Sequence, residues 1–429
     1  MSWITRYRIV DFVRSSFWFF PSLAMLAAWL IAKSILWFVP DPNWPRFDST
    51  DIEAARVSLS AFAASMLTFV VYAVSALLLA VQLASGQTTP RLIRITFGRW
   101  EMKLATSTFV FSFGVTLVAL ANMTEESRHA VLTVLAIVGN VSSVLVFFWF
   151  VQGVGLGLRP VAILQQIFLD GKQAMDTVYE GAFDPTQAEG GQTDELAGHD
   201  SRILRRLGPS GTFLAFGTRR LVALATRAGC TIELIPQVGD FVSTDDPLAR
   251  IYPPDASIDE ATLNDMVAFG AERTVRQDPM FAFRIMVDIA SRALSPAVND
   301  PTTATLAIDQ IHRLLRYAGL KNLDNARVRD ATGGLRLVFP TSDWEDIVDL
   351  AVTEVRQYGA SSTQVARRLR AMLEHLVDRL PVSRAGALQG QLGLLQRNVD
   401  RSFAEPEDRQ RASVGDVQGL GGSSLRSDL

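Results

Sequence analysis

Long apolar runs dominate the first 160 residues. In the rest of the chain, apolar residues recur in shorter segments, at every second position or at every third to fourth position. Each of four long runs has at least the roughly 20 residues that a helix needs to cross about 30 Å of hydrocarbon. These runs cover residues 17–39, 57–84, 102–122 and 129–158. The pattern therefore predicts a transmembrane domain of four helices within residues 1–160.

The remaining pattern predicts a mostly helical α+β portion. Residues 161–180 continue the helical periodicity, and residues 181–210 predict a flexible linker because they contain little that a core would bury. Residues 211–256 alternate like strands and predict a small β-containing module. Residues 257–404 predict a domain of amphipathic helices, and residues 405–429 predict a disordered tail that is polar and rich in glycine.

Four signals predict where helices of the last region begin. Asp278 and Asp300 each precede a proline, the arrangement of an N-cap acid before the first helical residue. Ser257 and Ser342 are each followed three residues later by glutamate, which is the capping-box pattern.

Basic residues near the spans predict the orientation in the membrane. Eight lie on one side of the four spans and three on the other, and the side with more basic residues is normally cytoplasmic. The eight are Arg6, Arg8, Arg14, Arg91, Arg94, Arg99, Lys103 and Arg159, and the three are Arg46, Arg56 and Arg128. We therefore expect a multi-pass membrane protein with both termini and residues 161–429 in the cytoplasm.

Composition narrows the classes of function. Hydrophobic residues make up 48% of the chain, and the portion after residue 160 has 29 basic and 36 acidic side chains, which argues against a nucleic-acid partner. The single cysteine, Cys230, and the four histidines show no spacing typical of a metal site. The chain has none of the familiar nucleotide-binding or catalytic motifs. We expect no enzyme activity, no metal and no cofactor.

The stretch "RALSPAVNDPTTA" forms a corner between two predicted helices. In the first interpretation it only ends one helix and caps the next through Asp300. In the second, a helix N-terminus with polar neighbours and a nearby arginine binds a small anion or polar ligand. The residues of this candidate site are Ser295, Asn299, Asp300, Thr302 and Thr303, with Arg284 and Arg292 on the preceding helix.

The second span carries a polar face, because its polar residues recur at spacings of three and four. The face consists of Ser58, Ser65, Thr68, Tyr72, Ser75 and Gln82. Hydroxyl and small residues allow membrane helices to pack closely, so the face is either a packing surface between helices or the lining of a pore.

Two segments, "DPMFAFRIMVDIASRALSPAVNDPTTA" and "QLASGQTTPRLIR", resemble the domain-of-unknown-function family 2254 of predicted bacterial inner-membrane proteins. The resemblance extends over nearly the whole chain apart from the linker and the tail. It implies four spans followed by a cytosolic domain, and no established activity. Many family members carry a His-His pair near the end of the fourth span, where this chain has "FVQGVGLGLRP"; any metal or proton role of that pair is absent here.

Two hypotheses of function follow. The first is a homo-oligomeric channel-like or transport protein whose cytosolic domain regulates it. The second is a membrane-anchored sensor or scaffold whose cytosolic helices recruit a partner. The lipid bilayer is the expected surrounding of both, and the small ligand or protein partner is left open.

Overall fold

The computed structural model describes residues 5, 6, 9, 10, 12, 13, 16, 18–39, 49–87, 100–123, 130–157, 159–179, 181–184, 195–323 and 326–422. The chain divides into two compact units, Ile9–Arg159 and Pro160–Leu429, which we call the membrane unit and the C-terminal unit.

Four helices form the membrane unit: α1 (Phe19–Phe38), α2 (Ser49–Gln87), α3 (Trp100–Ala121) and α4 (Ala130–Gly157). Within them, four described segments are long and apolar enough to cross a bilayer. They are Phe19–Phe38, Glu53–Ser75, Trp100–Ala121 and Val131–Gly157. The predicted fold class, four membrane helices followed by an α+β domain, is confirmed.

Helix α3 lies at the centre of the membrane unit and packs against the other three helices. Two close approaches depend on glycine. A Cβ atom at Gly114 would lie 2.8 Å from Sδ of Met25 on α1, and one at Gly139 on α4 would lie 2.9 Å from Oγ of Ser112. Small residues allow such backbone proximity between membrane helices, so the sequence sets how closely α1 and α4 approach α3.

The C-terminal unit begins with a long helix and then combines short strands with helices. Its helices are α5 (Pro160–Val178), α6 (Thr218–Ala228), α7 (Glu260–Asn264), α8 (Pro279–Ala293), α9 (Pro301–Gly319), α10 (Trp344–Gly359), α11 (Thr363–Arg379), α12 (Ala385–Ser402) and α13 (Pro406–Ala412). Its strands are β1 (Arg202–Arg205), β2 (Gly211–Phe216), β3 (Thr231–Leu234), β4 (Phe241–Val242), β5 (Pro247–Tyr252), β6 (Val267–Gly270), β7 (Arg327–Arg329) and β8 (Leu335–Val338).

The described strands form two sheets. The larger has the order β1-β5-β3-β8-β7, and the smaller has the order β4-β2-β6. The β3–β8 pair is parallel, with Ile232 opposite Leu337, and the other pairs are antiparallel. Alternating buried residues of β3 and β5 place apolar side chains on one side of the larger sheet, where α6 covers them.

Helix α8 is the centre of the helical part and packs against α5, α9 and α10. Ten of its residues are buried, including Phe283 and Met286, so α8 is apolar around much of its circumference. The predicted N-caps of α8 and α9 are confirmed: Oδ1 of Asp278 accepts the N–H of Phe281 at 3.0 Å, and Oδ1 of Asp300 accepts that of Thr303 at 3.0 Å.

Three sequence predictions about secondary structure are wrong. The predicted linker 181–210 contains β1, whose ladder with β5 makes it part of the larger sheet. The helix predicted after Ser257 is the short α7, capped by Asp259, and the residues that follow it form β6 because they pair with β2. Helix α10 is capped by Asp343 with Asp346, rather than by Ser342 with Glu345.

The tail is also more ordered than predicted. Residues 406–412 form α13, and the segment after it is held by Arg367 of α11, whose guanidinium donates to the carbonyl oxygens of Val414, Gly421 and Gly422. The Asp416 carboxylate accepts the N–H groups of Gln418 and Gly421. Residues 423–429 of the predicted tail lie outside the described residues.

Candidate functional site

The predicted corner between α8 and α9 is closed by its own residues. The Ser295 carbonyl accepts the N–H of Asn299 at 2.9 Å, and Asn299 has a φ of 47°, which the tight turn requires. Asp300 donates its N–H to Ala293 and accepts two hydrogen bonds from Thr303, while Thr302 is exposed. The Asp300 carboxylate thus occupies the helix N-terminus where an anion would otherwise bind.

The two arginines of the predicted site lie on α8, and Arg284 is used elsewhere. Its Nη1 and Nη2 atoms donate to the two oxygens of Glu354 on α10 at 2.5 and 2.7 Å, and its Nε donates to Asp288 at 2.6 Å. Arg292 is half-buried in the last turn of α8. The structure therefore brings together residues 295–303 and gives Arg284 the separate task of joining α8 to α10.

The polar face of α2 is exposed on the outside of the membrane unit. Ser58, Ser65, Thr68, Tyr72, Ser75 and Gln82 all have exposed side chains. The buried side of the same helix consists of Leu59, Ala63, Met66 and Ala73. Three hydroxyl groups of the face donate to backbone carbonyls four residues earlier: Ser58 to Ala54, Ser65 to Ala61 and Thr68 to Ala64.

A second set of polar side chains is buried between α3 and α4. Nδ2 of Asn140 donates to Oγ1 of Thr116 at 2.8 Å, and Oγ of Ser143 donates to Oγ of Ser112 at 2.8 Å. These bonds join two helices directly, which is how polar residues stabilise packing inside a bilayer. We therefore assign this layer to helix packing.

A cavity of about 250 Å³ lies within the C-terminal unit. No local signal in the sequence marks this cavity, because its lining comes from segments that are far apart in the chain. The lining residues are Thr177, Val178 and Tyr179 at the end of α5; Phe216 and Thr218; Gln237 and Val238; Gln277, Asp278, Pro279 and Met280; Arg327, Val328 and Arg329 of β7; and Phe339, Pro340, Thr341 and Ser342.

Hydrogen bonds between these segments hold the cavity wall. The Tyr179 hydroxyl donates to the Ser342 carbonyl at 2.9 Å, and Nε2 of Gln237 donates to the Ser342 hydroxyl at 2.8 Å. The Gln277 amide exchanges hydrogen bonds with the backbone N–H and carbonyl of Phe216. Burial, together with the nearby Asp278 carboxyl, raises the pKa of Tyr179 well above its usual value, so this hydroxyl stays protonated and remains a donor.

Asp278 is the buried acid of the cavity. Its side chain is 2% exposed, caps α8, and forms an ion pair with Nε of Arg273. Burial raises the pKa of the Asp278 carboxyl, and the ion pair with Arg273 lowers it in part. Arg273 runs close against Gly239, whose φ of 103° and missing side chain make room for the guanidinium. The ion pair therefore depends on a glycine in the loop before β4.

A histidine pair joins α9 to α11 outside the cavity. Nε2 of His312 lies 2.8 Å from Nδ1 of His375, and Nδ1 of His312 lies 3.4 Å from Nη2 of Arg368. A guanidinium only donates, so Nδ1 of His312 is the acceptor and its Nε2 carries the proton. Burial, with nearby Arg368, lowers the pKa of His312 to about 4, and burial also lowers that of His375.

The pair predicts acid destabilisation of the C-terminal unit. An unfolded histidine gains its proton below about pH 6.5, whereas folded His312 does not do so until about pH 4, so stability falls as the pH drops through this window. We expect a loss of about 1 to 2 kcal/mol, less than the full linkage value because the pair is partly exposed. Thermal unfolding from pH 7 to 4 should show a smaller loss in His312→Gln. The exposed His199→Gln is the matched control, and equal pH dependence in all three proteins would contradict the prediction.

Within the part of the chain that the structure describes, no group of three or more His, Cys, Asp and Glu side chains is arranged to hold a metal ion. The one cysteine, Cys230, is a buried free thiol whose pKa is raised by burial.

Comparisons with known proteins place the chain among uncharacterized relatives. A family model described as "Predicted membrane protein (DUF2254)" matches residues 14–375. Uncharacterized proteins of Mycobacterium bovis and Mycobacterium tuberculosis are each 25% identical to the chain over 425 residues, which cover 94% of this chain and 80% of theirs. No solved structure matches the chain.

Proposed function

The chain belongs to the DUF2254 family of predicted membrane proteins, and we propose that it acts as a homo-oligomeric channel-like or transport protein of the bacterial inner membrane. The eight-to-three division of basic residues around the spans supports an orientation with both termini in the cytoplasm. In this orientation the C-terminal unit is cytoplasmic and regulates the membrane unit.

The polar face of α2 carries the proposal. A helix that used its polar side for packing within one chain would bury that side, yet α2 buries Leu59 and Met66 and exposes Ser65 and Thr68. Lipid favours apolar surfaces, so we assign the polar face to contact with other copies or with water. A ring of copies with this face turned inward forms a path lined with hydroxyl groups.

The hydrogen bonds of the face are compatible with such a lining. The hydroxyl groups of Ser58, Ser65 and Thr68 donate their hydrogen bonds to backbone carbonyls of their own helix. Each oxygen retains acceptor capacity, which can be offered to water or to a cation on the helix surface.

Labelling of single cysteines tests this assignment. In a Cys230→Ser background, cysteine at Ser65, Thr68 or Ser75 is expected to react with a small membrane-impermeant thiol reagent, because a hydrated thiol ionises readily. Cysteine at Leu67 or Leu78 is expected to stay unlabelled in lipid. The internal control is Met66→Cys, since Met66 is 1% exposed and faces the rest of the membrane unit.

Mass measurement of the detergent-purified protein accompanies the labelling. Several copies per particle together with a labelled polar face support the channel-like function. Uniform protection of Ser65, Thr68 and Ser75 in a monomer or dimer contradicts it.

The alternative is a membrane-anchored sensor or scaffold, and one observation favours it. Helix α4, the fourth span, ends at Gly157, and α5 begins at Pro160 and reaches the cavity with its last turn. A ligand in the cavity would therefore contact the helix that continues the chain from the membrane. A monomeric or dimeric particle with a protected polar face supports this alternative.

A further inference from the structure

The cavity of the C-terminal unit is a structural feature that transport through the membrane unit does not require. At about 250 Å³ it is slightly smaller than typical binding pockets for drug-sized molecules and suits a small metabolite. It also lies entirely within one unit, so its binding properties are independent of how many copies assemble.

The walls suit the body of an organic molecule. Aromatic rings of Phe216 and Phe339 lie with their centroids 4.9 Å apart, and the side chains of Val238 and Met280 complete the apolar part of the lining. A purely inorganic ion would leave these walls without a partner. Binding sites for small molecules typically combine such apolar walls with a few placed polar groups.

The polar part of the lining offers donors. The backbone N–H groups of Thr218, Thr341 and Ser342 bond to no other residue in the described part of the chain. The Thr218 and Thr341 hydroxyls make no hydrogen bond within that part either. A backbone N–H can only donate, so these groups can bind an acceptor such as an oxyanion.

The charges of the lining are consistent with an anionic ligand. Arg327 and Arg329 contribute guanidinium groups from β7, and both also pair with Glu195, whose Oε1 lies 3.8 Å from Nη1 of Arg327 and accepts from Nη2 of Arg329. The one carboxyl group of the lining, Asp278, is paired with Arg273 and therefore repels an anion less than a lone carboxylate would. We propose that the cavity binds a small organic anion, with a carboxylate or phosphate head on a mainly apolar body.

Four probes separate the head from the body. Phenyl phosphate and benzoate carry both, benzyl alcohol carries the body without the charge, and inorganic phosphate carries the head alone. Each is titrated against the detergent-purified full-length protein by ligand-observed NMR. We expect both organic anions to bind at least about tenfold more tightly than benzyl alcohol or inorganic phosphate.

Three variants locate the binding. Thr341→Trp fills the cavity and is expected to abolish binding of both anions, and its titration also measures partition of the probes into detergent. Arg329→Gln removes a guanidinium from the lining and is expected to weaken the anions about threefold to tenfold while leaving benzyl alcohol unchanged. The matched control is Arg220→Gln, an exposed residue of α6 outside the lining, which should change nothing.

Three results would overturn the proposal. The first is failure of both organic anions to bind the wild-type protein, and the second is equal binding of benzyl alcohol. The third is undiminished anion binding in Thr341→Trp, provided that this variant unfolds thermally like the wild type. If Thr341→Trp does not fold, undiminished anion binding in Arg329→Gln overturns the proposal instead. The oligomeric state and the labelling of α2 do not enter these measurements, so the outcome is separate from that of the channel-like function.

Discussion

Replacing Asp278 with alanine is expected to lower the free energy of unfolding of the C-terminal unit by about 2 kcal/mol. The substitution removes the N-cap of α8, which alone is worth about 1 kcal/mol. It also leaves the guanidinium of Arg273, which is 37% exposed, without its ion-pair partner. Thermal or denaturant unfolding of the full-length protein, followed through the C-terminal unit, measures the loss.

Two control variants separate these contributions. Asp278→Asn keeps a side-chain oxygen for the N–H of Phe281 and removes the charge, so it is expected to cost less than the alanine. Asp300→Ala removes the same kind of cap, also before a proline, at a partly exposed position. Within the part of the chain that the structure describes, Asp300 pairs with no arginine, so this variant should cost about 1 kcal/mol. Equal losses for Asp278→Ala and Asp300→Ala would show that the buried ion pair contributes nothing.

The second large effect is expected at Gly171 of α5. A Cβ atom at this position would lie 2.7 Å from Cβ of Ala282 on α8 and 3.0 Å from Cδ2 of Leu314 on α9. Gly171→Val is therefore expected to destabilise the packing of α5 by about 3 kcal/mol, the upper end of ordinary overpacking. Proteolysis or hydrogen exchange of α5, together with thermal unfolding, checks the result.

Gly390→Val is the matched control. Gly390 also lies within a helix, α12, but a Cβ atom there would meet nothing within 4 Å. The same change of residue type therefore tests helix propensity without the steric conflict. A comparable loss in the two variants would mean that α5 is not packed as closely against α8 and α9 as the structure shows.

The sequence predicts elements whose physical cause is local. A membrane span is defined by the length and hydropathy of one continuous segment, so the sequence predicts all four spans. The caps of α8 and α9 were recognised for a similar reason, because an aspartate before a proline is a local signal. The two caps share the Asp-Pro pair but differ in burial. Asp278 is buried beside Arg273, five residues earlier, whose guanidinium fits only because Gly239 of a distant loop has no side chain.

The sequence does not predict elements that depend on distant partners. The residues of β6 follow a helical run and were assigned to that helix, but pairing with β2 turns Val267–Gly270 into a strand. The order of the tail comes from Arg367, which lies on a helix about fifty residues earlier. Local composition contains no trace of either partner, so tertiary contacts override the local preference.

The candidate sites divide in the same way. The polar face of α2 follows from the spacing of its polar residues in the sequence. Its exposure, in contrast, is a property of the folded membrane unit. The Asp-Pro pair predicts the cap of Asp300, whereas the ion pair that draws Arg284 to α10 depends on Glu354 of that helix. The cavity has no local signal at all, since residues from Thr177 to Ser342 must meet before it exists.

The parallel pairing of β3 with β8 has a consequence for synthesis of the protein. Ile232 and Leu337 face each other across this pair, about a hundred residues apart in the chain. At roughly 5 to 20 residues per second, the ribosome needs about 5 to 20 seconds to deliver β8 after β3 has been made. By then the segments that form the spans have already left the ribosome. The growing chain therefore passes through a stage in which its membrane helices are complete and one edge of β3 still waits for its neighbour.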